Sequence, residues 1–316
     1  MHFLCVNNAV GTMEGFAIIK SAEEKISARG TAYLDLIIAD SSGEMSAKLW
    51  DFSPEMQGRF HAHDVVKLRG TYNAYNGTTQ FKIERIRLVT NTDDVAMESL
   101  IASAPRTGED MFDEIHAVAE AFSDDDYRAL VLRMLDENKE RLLYWPGAHK
   151  LHHAVRGGLL WHTLSVLRLA IAVAALYDGI NSDLLYAGAI LHDIAKLDEY
   201  IVPSIGISSG YSTKGQLLGH LVMGAIAVDQ KCAELGIPEQ KRTLLEHMLI
   251  SHHGVPEFGA AKEPAFLEAY LLSQLDNLDA GINEIQQALE GVKQGEFSPS
   301  IWALDKRKMF QHGTAE

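Results

Sequence analysis

The sequence predicts a two-domain chain, an all-β module followed by an all-α domain, on three observations. Residues 12–90 alternate apolar and polar side chains with a two-residue period, the period becomes helical after Asp93, and the whole charge excess falls on the helical side. Strands point successive side chains to opposite faces, whereas helices bring positions three or four apart onto one face, so a change of period marks a change of architecture. At 316 residues, 47% hydrophobic and 22% charged, the chain is long enough for two buried cores. The longest apolar stretch, around 159–177, contains His162 and Arg168, which argues against a membrane span. The opening MHFLCVNNAVGTM has no basic segment followed by a long apolar one, so no signal peptide is expected. Cys5 and Cys232 are the only cysteines, which excludes a disulfide scaffold and suits a reducing, cytoplasmic compartment.

Within 12–90, alternation marks strands over 33–38, 45–50, 65–69 and 80–83. Between them stand turn signals at Ala28-Arg29-Gly30, Asp40-Ser41-Ser42-Gly43 and Tyr75-Asn76-Gly77, the last an Asn-Gly hairpin signature. Five short strands in so few residues are expected to close into a barrel, which removes exposed sheet edges. The spacing fits an oligonucleotide/oligosaccharide-binding (OB-type) barrel with a loop-helix segment near Pro54–His61. Residues 91–125 are expected to be a helical linker or the start of a bundle, and 126–316 the main helical domain. Apolar faces at helical spacing include Leu130-Leu132-Leu135, Leu164-Leu167-Ile171, Leu184-Leu185-Leu191, Leu244-Leu245-Leu249 and Ile282-Ile285-Leu289. Asp124-Asp125-Asp126 suits a helix cap, and the Gly- and Ser-rich stretch 203–215 suits a lid or binding loop.

Charge divides the same way. Residues 1–90 hold ten basic and ten acidic side chains, and residues 91–316 hold 18 and 33, which accounts for the net −15. Such a chain is not wrapped broadly on nucleic acid, although its neutral first domain could grip a single strand modestly.

Histidine placement is the main chemical signal. Trp161-His162, His192-Asp193, Gly219-His220, His252-His253 and Asp276-Asn277 follow one another at intervals of 24 to 32 residues, each on or at the end of a different expected helix. A bundle whose successive helices each point one ligand inward builds a metal site in its core, and a carboxylate such as Asp193 can bridge two cations. The dipeptides alone say little, because His63-Asp64 and His152-His153 repeat them elsewhere. The ordered series is specific.

With these segments in place, the chain resembles the HD superfamily of metal-dependent phosphohydrolases. More closely it is similar to the YhaM-type 3′–5′ exoribonucleases, which join an OB-fold barrel to an HD-domain helical bundle. The resemblance runs from about Gly15 to Phe310. It is carried by His152-His153-Ala-Val-Arg156 through His162, by Leu185 through His192-Asp193-Ile-Ala-Lys196, by Gly215 through His220, by Ser251-His252-His253-Gly254 and by Leu275-Asp276-Asn277-Leu278-Asp279-Ala280. It implies His162, His192, Asp193 and Asp276 as ligands of one metal and Asp193, His220 and His252 as ligands of a second, with His253 a further candidate. Ala195 stands where that family usually has Gly before the Lys, a change expected to leave the ligands intact.

Nitrogen and oxygen ligands without thiolate favour two divalent ions, Mn²⁺ first and Fe²⁺, Mg²⁺ or Co²⁺ as alternatives. Such ions lower the pKa of water and activate it toward phosphorus. Asp193 and Lys196 are the expected catalytic pair, with Lys196 neutralising charge on the phosphate. His152, His153 and Arg156 are expected to grip phosphate. In the barrel, Lys48 and Trp50 share one strand face, and Tyr33, Tyr72, Tyr75, Lys82 and Arg69 are expected to join them on a surface that stacks bases and meets phosphates.

The implied activity is hydrolysis of single-stranded RNA, and of DNA as a second substrate, from the 3′ end to 5′-nucleotides. Two alternatives stand beside it. One is a phosphohydrolase for a small nucleotide or cyclic dinucleotide, which would have no use for a strand-binding barrel. The other is a catalytically inactive nucleic-acid adaptor, which would have no need of a complete ligand series. The implied partner is single-stranded nucleic acid and no membrane, and the acidic helical surface could serve a homo-oligomer.

Overall fold

The computed structural model describes residues 12–40, 43–75, 78–90, 92, 93, 95, 97–149 and 153–313. It falls into two compact units, 1–103 and 104–316.

The first unit is a closed barrel of five strands: β1 (Thr12–Ile26), β2 (Ala32–Asp40), β3 (Gly43–Trp50), β4 (Val65–Tyr75) and β5 (Thr78–Leu88). Their order is β1-β2-β3-β5-β4, with β4 returning to β1. All pairs are antiparallel except β3 with β5, where Ala47, Lys48 and Leu49 lie opposite Phe81, Lys82 and Ile83. The expected loop helix is one turn, α1 (Pro54–Gln57), between β3 and β4. Alternation decides which side chains fill the interior. Leu34, Leu36 and Ile38 of β2, Ala47 and Leu49 of β3, and Val66 and Leu68 of β4 are buried, as are Phe81 and Ile83 of β5.

Tyr72 departs from the expectation that it joins an exposed face. It keeps the inward parity of Val66, Leu68 and Gly70, and its ring meets Phe81 edge-on at 5.1 Å. Gly70 is required where it stands, because a Cβ there would come within 2.1 Å of the Lys82 carbonyl oxygen. Beside it the register shifts. Arg69 opposes Arg85 but Gly70 opposes Ile83, so Glu84 is an extra residue and the outward parity of β5 resets. The Asn76-Gly77 turn lies outside the described residues, although Tyr75 and Thr78 on either side of it pair.

The second unit is helical: α2 (Gly108–Glu120), α3 (Asp125–Leu142), α4 (Gly158–Ala174), α5 (Ser182–Leu191), α6 (Lys196–Glu199), α7 (Thr213–Leu235), α8 (Glu239–Ser251) and α9 (Leu267–Leu289). The stretch expected as linker or start of the bundle contributes α2, whose Met111, Phe112 and Ile115 enter the helical core. Asp124 caps α3 by accepting from the Asp126 and Tyr127 amides. Helix α5 is buried at Leu184, Leu185 and from Ala187 to Leu191, with Tyr186 half-buried, and Ala187, Gly188 and Ala189 let its neighbours approach closely. Each fully buried Leu here contributes about 2 kcal/mol of hydrophobic stabilisation. A helix buried along most of its length ends inside the domain, which is where His192 and Asp193 stand.

The stretch 203–215, expected as a lid or binding loop, is structured at both ends. A two-residue strand pair, β6 (Tyr200–Ile201) and β7 (Gly210–Tyr211), closes it, and Ser212 caps α7. Among the described residues no helix is long and apolar enough to cross a membrane.

Candidate metal centre

Four histidines reach the middle of the helical unit from four helices. His162 lies in α4, His192 just past α5, His220 in α7 and His252 just past α8, and all are buried. The last carbonyls of a helix lack intrahelical donors. His192 Nδ1 donates to the Ala189 carbonyl at 2.9 Å and His252 Nδ1 to the Leu249 carbonyl at 2.8 Å. A carbonyl only accepts, so Nδ1 carries a proton in both rings and Nε2 is the nitrogen that points inward.

Carboxylates orient the other two. His162 Nδ1 donates to Asp279 Oδ2 at 2.7 Å, and His220 Nδ1 sits 3.1 Å from both Glu199 oxygens. Gly219, at φ 70 and ψ 162, breaks α7 immediately before His220, and the freed His220 amide donates to Glu199 Oε1 at 3.1 Å. That backbone conformation favours glycine. All four rings therefore turn Nε2 to one place, each held from behind by an acceptor on Nδ1, the usual support of a metal-ligating imidazole.

Two clusters of ligand atoms meet there and share Asp193. In the first, His162 Nε2 lies 3.1 Å from His192 Nε2, 3.0 Å from Asp276 Oδ1 and 3.6 Å from Asp193 Oδ2, and His192 Nε2 lies 3.4 Å from Asp193 Oδ2. In the second, the other Asp193 oxygen, Oδ1, lies 3.3 Å from His220 Nε2 and 3.8 Å from His252 Nε2. Ligands held about 2.1 Å from an ion stand roughly 3.0 Å apart when adjacent and up to about 4.2 Å when opposite, so both clusters have the spacing of a coordination shell. Asp193 Oδ1, His220 Nε2 and His252 Nε2 are buried without a hydrogen-bond partner among the described residues. Buried polar atoms left without a hydrogen-bond partner are costly, and a cation facing all three removes that cost. The residues present fit a metal.

The HD domain family model matches residues 159–281, which span the series from His162 to Asp276. The chain is 38% identical over 296 residues to the 3′–5′ exoribonuclease YhaM of Geobacillus sp. (strain WCH70), covering 94% of this chain and 90% of that protein. The chain belongs to the YhaM exoribonuclease family. Solved structures similar in part include a replication protein A heterotrimer bound to ssDNA, 13% identical with a TM-score of 0.22, covering 27% of this chain and 62% of that chain. The single-stranded DNA-binding protein of Thermus aquaticus is 14% identical with a TM-score of 0.24, covering 28% and 44%.

In this family member the electrostatics of the site follow from its burial. Desolvation opposes charge on His162, yet hydrogen bonds to Asp276 and Asp279 hold its pKa up to about 10. Burial also opposes ionisation of Asp193, but Lys196 and His192 hold its carboxyl well below the usual range. Asp276, likewise against burial, is lowered by His162. His252, buried and beside His192, is pushed well below the ordinary imidazole value and stays neutral. Lys196 is buried and donates to Asp193 Oδ2 at 2.6 Å. Burial works against its charge, and Asp193 outweighs that, so its pKa is raised and it keeps its proton.

The expected ligands are thus all brought together. His253 joins the second cluster's edge, its ligand atom within 4.8 Å of those of His220 and His252, while its Nδ1 donates to the Phe258 carbonyl at 2.8 Å. Two of the expected phosphate contacts, His153 and Arg156, bond within the protein. His153 is buried, and its Nε2 donates to Asp279 Oδ2 at 2.9 Å, so it braces the carboxylate that orients His162 and does not face solvent. Arg156 lies over the Tyr144 ring at 5.2 Å and donates to the Ser204 carbonyl at 2.9 Å, which ties down the 203–209 loop. His152 lies outside the described residues. In the barrel, Tyr33 and Trp50 stack with centroids 4.7 Å apart and Lys48 Nζ stands 5.2 Å from the Tyr33 centroid, all facing outward. The Tyr75 side chain lies outside the described residues.

Two supporting carboxylates are not singled out by the sequence reading. Asp279 follows Asp276 by three residues and Glu199 follows Lys196 by three, so each shares a helix face with a residue that is, and that spacing is the available signal. Asp279→Asn keeps the shape but removes the charge behind His162. It is expected to weaken metal affinity about 10- to 100-fold with the fold retained, as measured by metal titration alongside circular dichroism. Unchanged affinity would reduce Asp279 to a packing role.

Proposed function

We propose that the chain removes 5′-nucleotides from the 3′ end of single-stranded RNA, with ssDNA as a second substrate, using two divalent ions of which Mn²⁺ suits the donor set best. The observation that carries this reading is the sharing of Asp193, one oxygen to each cluster of imidazole Nε2 atoms. When bound, the ions would polarise the scissile phosphate and lower the pKa of a water near phosphorus. Histidine nitrogens and carboxylate oxygens without thiolate favour Mn²⁺ or Fe²⁺ over a structural zinc.

The chain's own residues do the rest. Asp193 fixes the spacing of the two clusters, and Glu199 and Asp279 keep the imidazoles in the tautomer that offers Nε2. Lys196 holds its proton beside Asp193 and places a positive charge where the phosphate and the leaving 3′-oxygen gather negative charge. The Tyr33–Trp50 stack with Lys48 offers a platform for bases and a cation for phosphate. The buried thiol of Cys232 fits a reducing compartment, and the cytoplasm is the proposed location.

The test is a 5′-labelled single-stranded RNA incubated with Mn²⁺. The expected product is a ladder that shortens from the 3′ end, with 5′-mononucleotides released. Stepwise loss that ignores a blocked 3′ terminus would refute the polarity. In the same assay Lys48→Ala/Trp50→Ala should raise KM for a 20-mer about 10- to 100-fold, since stacking is worth about 1–3 kcal/mol per base. Cleavage of a dinucleotide should be unaffected; equal losses on both substrates would refute the barrel's part.

A further inference from the structure

We infer that the outer face of β4 and β5 carries a second RNA-binding segment, beyond the platform of Tyr33, Lys48 and Trp50, in the groove between α1 and strands β4 and β5. The inference rests on the strand-binding function proposed above and extends it to a new surface.

The barrel is neutral by count, yet its charge is segregated. Strands β3, β4 and β5 hold six basic residues, Lys48, Lys67, Arg69, Lys82, Arg85 and Arg87, against two acidic ones. Cross-strand register sets these cations directly opposite one another three times: Lys48 with Lys82, Arg69 with Arg85, and Lys67 with Arg87. Like charges facing each other across strands destabilise a sheet. The bulge at Glu84 produces one of these encounters. Without the extra residue, outward parity from Lys82 would turn Arg85 toward the barrel interior, whereas with it Arg85 projects outward against Arg69.

The acids nearby answer only part of this charge. Glu14 pairs with Lys67 at 3.1 Å, Glu84 lies 3.8 Å from Arg69, and Asp93 accepts from both terminal nitrogens of Arg87 at 2.7 Å. Arg85, Lys82 and Lys48 have no ion pair among the described residues. Lys67, Arg69, Arg85 and Arg87, with Glu14 and Glu84 among them, line a groove of about 580 Å³ that Ile86 and Met56 also line. At its lip Met56 is 85% exposed. Four cations against two acids, beside the exposed Met56 and half-buried Ile86, complement a chain of phosphates carrying bases, and the arginine fork of Arg85 matches phosphate geometry. The occupant is therefore a stretch of single-stranded RNA continuing beyond the Tyr33–Trp50 stack.

The test uses the full chain in EDTA, so that no strand is cut, with fluorescent oligouridylates of 6 and 20 nucleotides. Arg85→Glu should weaken 20-mer binding about tenfold or more and reduce the slope of log affinity against log salt by about 0.7 for each phosphate that is no longer neutralised. Hexamer binding should change less than twofold, and the melting midpoint should be no lower than the parent's, because a repulsive pair has been removed. Lys20→Glu, an exposed β1 cation away from the groove, should leave 20-mer binding within twofold. Unchanged 20-mer affinity, equal losses on both lengths, or an equal loss from Lys20→Glu would each overturn the groove. So would a fall in subunit number on Arg85→Glu, which would make a second copy of the chain the occupant. A parent that binds the hexamer with no gain on lengthening overturns the groove alone, whereas a parent that binds neither length overturns the strand-binding function and the groove with it.

Discussion

Asp193→Asn should abolish RNA hydrolysis and empty both ligand clusters together. The side chain is buried, with Oδ2 facing His162 and His192 and Oδ1 facing His220 and His252, so a neutral amide weakens both sites in one change. Lewis-acid stabilisation of several kcal/mol, at about 1.4 kcal/mol per decade, corresponds to a loss of about 10³-fold or more. Asp276→Asn should behave differently. Among the described residues Asp276 lies within 4.0 Å of the imidazole nitrogens of His162 and His192 only, so the variant should retain a metal at Asp193, His220 and His252. Elemental analysis of the two purified variants against the parent separates these outcomes. Because Asp193→Asn strands Lys196 as a buried, unpaired cation, Asp193→Asn/Lys196→Met serves as the folding control. Full metal content in Asp193→Asn, or a surviving ladder, would end the shared-carboxylate reading.

Much of this is legible in the sequence because the physics involved is local. Period-two alternation over 33–38 and 45–50 reports directly on burial in β2 and β3, and Asp124 reads as a cap because short acidic side chains satisfy orphan helix amides. The candidate ligands stand out because His162, the pair His192-Asp193, His220, His252 and Asp276 come from, or from just past, five different helices, which leaves a widely spaced ordered series.

What is not legible depends on tertiary placement. His153 and Arg156 lie close to His162 in sequence and read as phosphate contacts, but one is bonded beneath Asp279 and the other is laid on Tyr144. Nothing in their spacing distinguishes facing a substrate from bracing a neighbour. The bulge at Glu84 is equally hidden, since no local residue pattern announces it, although it decides that Arg85 faces outward. Tyr72 is the opposite case: its parity with Leu68 already places it inward. Net charge conceals most, because a neutral barrel contains a face on which cations meet cations.

Metal uptake by the His162–His192–Asp193–Asp276 cluster is expected to release about one proton and to strengthen about tenfold per pH unit between pH 7 and 8.5. The proton comes from His162, whose pKa in the metal-free protein is held up to about 10 against an ordinary 6.5. Asp193 and Asp276 are held below the carboxylate range, so they are already ionised and contribute none. The sign for stability follows. A raised folded-state pKa contributes stability that is complete below about 6.5 and is lost as pH rises through about 10, here on the order of 5 kcal/mol at most. Chelated protein should therefore melt progressively lower from pH 7 to 10, while protein saturated with metal should show little change up to pH 8.5, because the cation takes the place of the proton between His162, Asp276 and Asp193. Titration calorimetry at pH 7.5 in buffers of different protonation enthalpy counts the proton directly. A pH-independent affinity with no proton released would mean that His162 is neutral before metal arrives. In that case the two carboxylates would not be the source of its charge, and the electrostatic account of the first cluster would fail while its geometry stood.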